Sequence, residues 1–293
     1  MRVLVITGVL PHHRHFCREL ARSHELVGVL HPRTVRASRI EKLKRERRRA
    51  GLAYAGLRAA ATIPALGGWR RDAAYAEAEQ RFFGAEGENV PTALEQEVDV
   101  KSSAVIDLVE RLSPEATVCL GGPVYPAALI EAAAPVFNFH SGVSPLYNGA
   151  STIDFAFANG HLGMCGGTLM VMNPRVDGGD ILAHHLPAID ADDTPATLFM
   201  KTIGGGAVLA RRFLEHVSRG GGFTKAPQPP ALFYFRGRDW TLHHAQLVSR
   251  AVEEQVARAY TREAADFEYW DLAGDEDATQ AMLANVRALA NLA

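Results

Sequence analysis

Arg2-Val3-Leu4-Val5-Ile6-Thr7 opens the chain with an aliphatic and β-branched run that stops at Gly8. A helical stretch follows from about residue 12 to residue 22. Glu25-Leu26-Val27-Gly28-Val29-Leu30-His31 is then a second short apolar run. Strand, helix and strand at this spacing read as a βαβ unit, which makes the two strands parallel and puts helices on the sheet faces. The expected fold class is therefore α/β, an open, mostly parallel sheet with helices on both faces. The connection from Gly8 to His15 holds one glycine, not Gly-x-Gly-x-x-Gly or Gly-x-x-x-x-Gly-Lys, so a nucleotide phosphate loop is not indicated there.

The totals narrow the class. A chain of 293 residues exceeds one compact domain, so one large domain plus an appendage is expected. A hydrophobic share of 47% suits a globular protein with a real core. The net charge of -2 gives no bulk electrostatic reason to expect nucleic acid or membrane as a partner. Three cysteines, Cys17, Cys119 and Cys165, are far apart and odd in number. They form no zinc spacing, so no metal is expected and a reducing, cytoplasmic location is the natural reading. The opening apolar run is too short for a signal segment or a spanning helix.

Residues 33–49 carry nine Lys or Arg against Glu41 and Glu46. No aromatics interleave these charges, so they read as the solvated face of a helix with Ile40 and Leu43 turned inward, not as a nucleic-acid patch. Residues 52–66 are Ala-rich and helical in character, ending near Gly67-Gly68. Residues 92–100 read as a polar connection, and Ser102 or Ser103 as the cap of a helix to about Leu112. Residues 117–120 form a short buried strand that meets Gly121-Gly122-Pro123, and residues 136–140 the next one. Residues 151–159 make a helix closed by Gly160. Residues 167–172 and 180–189 make two strands around a turn at Asn173-Pro174. Residues 194–217 have the apolar spacing of a long helix, weakened in its middle by Gly204-Gly205-Gly206.

Gly220-Gly221-Gly222 followed by Pro227, Pro229 and Pro230 is the clearest boundary. It divides a catalytic domain (1–218) and a linker (219–230) from a small, mainly helical extension (231–293). In the extension, residues 232–235 are β-like and residues 241–260 helical. Its aromatics Phe233, Tyr234, Phe235 and Trp240 suit packing against the main domain better than an acceptor pocket.

Asn138-Phe139-His140 ends a predicted parallel strand, where open α/β sheets place their ligands, and alternation puts Asn138 and His140 on one face. Asp177 follows in the Gly-rich turn Asp177-Gly178-Gly179-Asp180. An amide, an imidazole and a carboxylate are what acyl transfer to an amine requires: two groups to hold a developing oxyanion and one to move protons. Alone, Asn-x-His in a chain with 12 histidines is a weak signal. Asp177 and Asp180 also read as turn residues bonded to their own backbone.

The order of these motifs raises their weight. Asn138-Phe139-His140, Ser144-Pro145-Leu146-Tyr147-Asn148-Gly149 and Val176-Asp177-Gly178-Gly179-Asp180-Ile181-Leu182 resemble, in sequence and spacing, the folate-dependent formyltransferases. These include the glycinamide ribonucleotide, methionyl-tRNA and sugar N-formyltransferases. The basic segment after the second strand is similar to the small-amine, specialised-metabolism branch. The resemblance covers roughly residues 1–215 and is vague over 32–85.

It implies a Rossmann-like sheet, 10-formyltetrahydrofolate as co-substrate and a small-molecule amine as acceptor, in a biosynthetic transferase. It implies catalytic roles for Asn138 and His140 on the formyl oxygen, with Asp177 opposing the imidazole charge and accepting the amine proton. It implies a pterin slot made by Leu120, Gly121, Gly122, Pro123, Val124 and Tyr125 with Asn173, Val176 and Gly178. Acceptor contacts are implied for Gly8, Leu10, His12, Ser141 and Ser144.

Departures matter too. Asn148 stands where many relatives carry Arg, which weakens the case for an anionic acceptor group. The phosphate-friendly loop of the purine enzymes is replaced by His12, His13, Arg14 and His15, which read better as a helix start. The tail is too short for the β-barrel of the tRNA enzymes, so a tRNA acceptor is disfavoured. The extension offers a surface for a homodimer contact. The alternatives are a 10-formyltetrahydrofolate hydrolase, a carbamoyl or hydroxymethyl transferase, and a non-catalytic folate-binding protein.

Overall fold

Every residue of β1 (Arg2–Thr7) after Arg2 is buried, which places this strand in the interior of a sheet covered on both faces. Val3 and Val5 pack on one side with Phe16, Phe137, Phe139, Ala207 and Phe213. Leu4 and Ile6 pack on the other with Leu30, Val105, Val109, Cys119 and Leu129. The period of two in the strand thus feeds two separate cores. The computed structural model describes residues 1–33, 39–60, 66, 68–85, 89–133, 135–272 and 277–291.

The main sheet has eight strands in the order β3 (Glu95–Val98), β2 (Glu25–Pro32), β1, β4 (Ala116–Leu120), β5 (Val136–His140), β7 (Gly167–Val171), β8 (Ile181–Leu186) and β10 (Ala265–Glu268). From β3 to β5 the pairing is parallel, and β7, β8 and β10 continue it antiparallel. A second sheet pairs β6 (Tyr147–Gly149) with β9 (Phe233–Phe235) in parallel. Helices α1 (Pro11–Ala21) and α7 (Pro195–Ser218) cover one face, with α3 (Arg71–Phe83) packed outside them. Helices α4 (Ser103–Leu112) and α5 (Ala127–Ala132) cover the other. The fold is the expected mostly parallel α/β sheet.

The expected cap of α4 forms, and α7 has one that the sequence reading did not name. The Ser102 side chain caps α4 by accepting from the Ala104 N–H at 3.2 Å. Thr194 and Thr197 form a reciprocal capping box at the start of α7, with Pro195 in the first turn. Other expectations are corrected. Residues 92–100 are not only a connection, because they contain β3. Three of the four residues of β3 are exposed glutamates or glutamine on an edge, so no apolar pattern marks it. Helix α7 runs unbroken through Gly204-Gly205-Gly206. A Cβ at Gly206 would lie 2.0 Å from the Phe139 ring, and one at Gly205 would lie 2.0 Å from the His185 ring. The missing side chains let the helix sit directly on the sheet, and that packing outweighs the poor helix propensity.

Helix α2 (Arg39–Ala60) is broken at Gly51, where φ is 85°. The inward face assigned to Ile40 and Leu43, and the stretch at 61–65, lie outside the described residues. No helix among the described residues is long and apolar enough to cross a membrane.

The extension contributes more than the helices α8 (Leu242–Glu253) and α9 (Ala278–Ala290). Its β10 closes one edge of the main sheet and its β9 pairs with β6. Tyr269 and Met282 are fully buried in the same core as Tyr147, Phe155 and Leu186.

Candidate active site

Asn138 and His140 lie on one face of β5 at its C-terminal end, since Phe137 and Phe139 point into the α7 core. Asp177 comes from the turn between β7 and β8 and adopts a left-handed conformation, φ 47°. Its carboxylate is held from two sides. Oδ1 lies 3.5 Å from Nδ1 of His140, and Oδ2 accepts the Gly149 N–H at 2.9 Å. The Asn148 amide donates to the Asp177 carbonyl, also at 2.9 Å. Asn148, noted in the sequence only as a missing cation, is 3% exposed and anchors the Asp177 turn. The second imidazole nitrogen, Nε2 of His140, faces the Tyr147 carbonyl at 3.3 Å. Among the described residues the Asn138 amide has no hydrogen-bond partner, so it is available to a ligand.

These three side chains line one cavity of about 570 Å³, within the usual range for small-ligand sites. One wall is the loop of Leu120, Gly121, Gly122, Pro123, Val124 and Tyr125; facing it are Asn173, Pro174, Arg175 and Val176. Gly122, at φ 110°, has the Tyr125 hydroxyl where a Cβ would stand, so only glycine keeps this wall flat. Of the residues expected at the pterin slot, Gly178 alone is not in the cavity lining. It lies behind it, its carbonyl accepting from Asn173 and Arg175.

The expected acceptor contacts divide. His12 and Ser141 line the cavity. Gly8 and Leu10 do not, and Leu10 is 52% exposed. Ser144 is wholly buried below the cavity, its N–H bonded to Thr168 and its carbonyl to His184. His12 and His13 begin α1 and also line the cavity, so the choice between helix start and acceptor wall was a false one. Glu79 holds the His12 ring at 2.5 Å and its N–H at 3.1 Å. Burial pushes the Glu79 carboxyl up, but these two bonds outweigh it and hold it below its ordinary range. Burial, reinforced by His12 and His31, holds His13 well below the imidazole range.

Sequence reasoning missed several contributors. Phe199, Ile203, Tyr234 and Arg236 complete the cavity. Phe235 stacks on Phe155 with centroids 3.9 Å apart, and Trp240 meets Phe155 edge-on, so the packing role holds for these two. Tyr234, 45% exposed between Phe233 and Phe235, instead faces the opening. Phe235 lines the cavity as well as packing on Phe155, so one aromatic serves both roles. Gly142 is a hidden requirement: a Cβ there would lie 2.6 Å from His140 Nε2 and 2.4 Å from the Tyr147 carbonyl. Among the described residues no group of three or more His, Cys, Asp or Glu could hold a metal ion.

Residues 70–204 match the family model described as formyl transferase. A methionyl-tRNA formyltransferase of a Nitratiruptor species is 35% identical over 114 residues. That match covers 39% of this chain and spans only 37% of the relative's own length. The solved sugar N-formyltransferase of a Shewanella species superposes with a TM-score of 0.52 at 15% identity, covering 85% of this chain and 87% of that one. An N-formyltransferase of Helicobacter canadensis, solved with folinic acid and dTDP-3-aminofucose, gives a TM-score of 0.51 at 13% identity, covering 87% and 82%. The chain shares the fold of the folate-dependent N-formyltransferases.

Proposed function

We propose that this protein is an N-formyltransferase that moves the formyl group of 10-formyltetrahydrofolate to an amine of a small molecule. The observation that carries the reading is the convergence of Asn138, His140 and Asp177 on one cavity. The unpartnered Asn138 amide and the flat wall at Gly121 and Gly122 fit a pterin-bearing formyl donor.

In this reading the loop from Leu120 to Tyr125, with Asn173 and Val176, holds the pterin largely through backbone. Asn138 and His140 hold the formyl oxygen as it gains charge in the tetrahedral intermediate. Asp177 accepts the proton lost by the amine and returns it to the leaving folate nitrogen. Gly149 and Asn148 keep its carboxylate and turn in place for that transfer. We read residues 1–218 as the catalytic unit and 231–293 as an extension that supplies the last cavity wall.

The test is incubation with 10-formyltetrahydrofolate and a panel of small amines, following tetrahydrofolate release and the formylated product by mass. His140→Ala and Asp177→Asn should both stay folded by circular dichroism; the first should lose about 10²–10³ in rate, the worth of one oxyanion donor, and the second about 10²–10⁴, the worth of a positioned proton acceptor. Near-normal turnover in either variant refutes the assignment. Rapid formate release without any amine makes the protein a hydrolase instead. Methionyl-tRNA belongs in the panel because the relatives matched in sequence carry that name; the small-molecule reading expects it to stay unformylated.

A further inference from the structure

We propose that His13 holds the attacking nitrogen: its Nε2 accepts a hydrogen bond from an N–H of the acceptor amine and leaves the nitrogen lone pair free to meet the formyl carbon. This rests on the formyl-transfer reading above.

The placement follows from the sheet. Thr7 pairs with Leu120, and Leu120 pairs with Phe139, the neighbour of His140. With strands spaced about 4.8 Å apart, Thr7 stands roughly 10 Å from the catalytic strand end. His13 reaches back from the first turn of α1 to Thr7, and its Cε1 would lie 3.5 Å from a Cβ on Gly121. The ring therefore overhangs the gap between β1 and the pterin-side loop, and it lines the same cavity as His140 and Asp177.

Its orientation is dictated by one shared proton. The Thr7 hydroxyl donates its only hydrogen to the Leu120 carbonyl at 2.9 Å. At 2.7 Å from His13 Nδ1 it must then accept, so Nδ1 carries the hydrogen. Thr7 and Leu120 are both buried, which keeps water out of this chain of bonds. A neutral imidazole has one N–H, so Nε2 is bare, and among the described residues it has no partner. The surroundings favour that neutral form. The His12 ring, also on α1, lies tilted beside the His13 ring with centroids 4.0 Å apart, and His31 approaches from β2; Glu79 of α3 is engaged by His12, and Glu95 of β3 by His31. Burial adds to the effect of the two neighbouring imidazoles.

An acceptor atom without a partner, beside Gly8 on a ring that lines the cavity, calls for a donor on the ligand, and the attacking amine is the N–H donor this reading brings to it. The nitrogen–carbon bond forms from the amine lone pair, and the carbonyl pair moves to the formyl oxygen. The bond from carbon to the folate nitrogen then breaks, and the amine proton reaches that nitrogen through Asp177. His13 keeps its own hydrogen throughout.

Hydroxylamine serves as the probe amine, with 10-formyltetrahydrofolate as donor. Formyl hydroxamate measures capture by the amine and formate measures capture by water, so their ratio cancels differences in folding and donor loading. His13→Ala should lower the ratio about fivefold, the worth of one neutral hydrogen bond. His13→Gln, which keeps an acceptor oxygen near Nε2, should recover part of it. An unchanged ratio in His13→Ala overturns the proposal, as does a glutamine variant no better than alanine. Weaker binding of 5-formyltetrahydrofolate to His13→Ala also overturns it, because the ring then faces the folate. A wild-type protein that binds no 5-formyltetrahydrofolate and makes neither product overturns the formyl-transfer reading itself.

Discussion

Acid should loosen the loop behind His140 through one buried ring, His184. This residue sits on β8 with no exposure, Nε2 donating to the Ser144 carbonyl at 2.7 Å and Nδ1 accepting from the Tyr269 hydroxyl at 2.9 Å. The Asn285 amide donates in turn to that hydroxyl at 3.2 Å. A second proton on the ring has nowhere to go, and burial pushes the imidazole down from 6.5 to about 4, only partly offset by the bond to Ser144. The depressed value sets the direction. Below 6.5 the unfolded chain takes up a proton that the folded chain refuses until about 4, so stability present at neutral pH is lost as pH falls through that window. At about 1.4 kcal/mol per unit, the loss from this ring is about 2 kcal/mol by pH 5 and about 3 kcal/mol by pH 4. Urea unfolding of the wild type and His184→Gln at pH 7, 6 and 5 measures it, because glutamine keeps a donor and does not titrate. The stability gap between the two proteins should move by about 2 kcal/mol in favour of the variant between pH 7 and pH 5. A gap constant to within about 0.5 kcal/mol over that range would mean that the ring does not resist protonation, and the reasoning would fail.

Three other perturbations probe separate links. Gly142→Ala should press on both the Tyr147 carbonyl, 2.4 Å from the new methyl, and the His140 ring, 2.6 Å from it; the urea midpoint should drop and turnover of the protein that remains folded should fall about tenfold or more, since small misplacements of a reacting group are costly, and unchanged kinetics would count against the assigned site. Gly206→Ala drives a methyl to within 2.0 Å of Phe139 and should cost about 1–3 kcal/mol, read as a lowered urea midpoint. Arg71→Met removes the guanidinium 2.9 Å from Asp154, a carboxylate with no exposure whose other close partner is Tyr75; thermal unfolding should show a loss of about 3–5 kcal/mol, recovered in large part when Asp154→Leu is added.

The parts of this protein that sequence displays are those in which residue type alone carries the physics. Residues 2–7 had to be an interior strand because a short β-branched run of this kind buries its side chains on both faces of a parallel sheet. Asn138 and His140 had to share a face because a strand repeats every two residues. Their distance from Asp177 along the chain was visible as a spacing, which the resemblance to a family turned into an expected site. The edge strand β3 was hidden because edges are polar by necessity. The glycines of α7 misled because propensity is a local quantity, whereas the Phe139 ring that needs their space comes from a distant strand.

What the chain determined by itself was the α/β class, the strand that carries the amide and imidazole, and the glycine-rich turn that carries the carboxylate. Only the tertiary structure decided that Gly149 holds that carboxylate while Asn148 holds the backbone of its turn, that Ser144 is buried below the cavity, and that Thr7 leaves one nitrogen of His13 bare. It also decided that β9 of the extension brings Tyr234 and Arg236 to the opening. The reason is the range of the forces involved. Strand and helix periodicity act over a few neighbours, but the partner of a hydrogen bond or the wall of a cavity is set by segments that meet only when the sheet has closed.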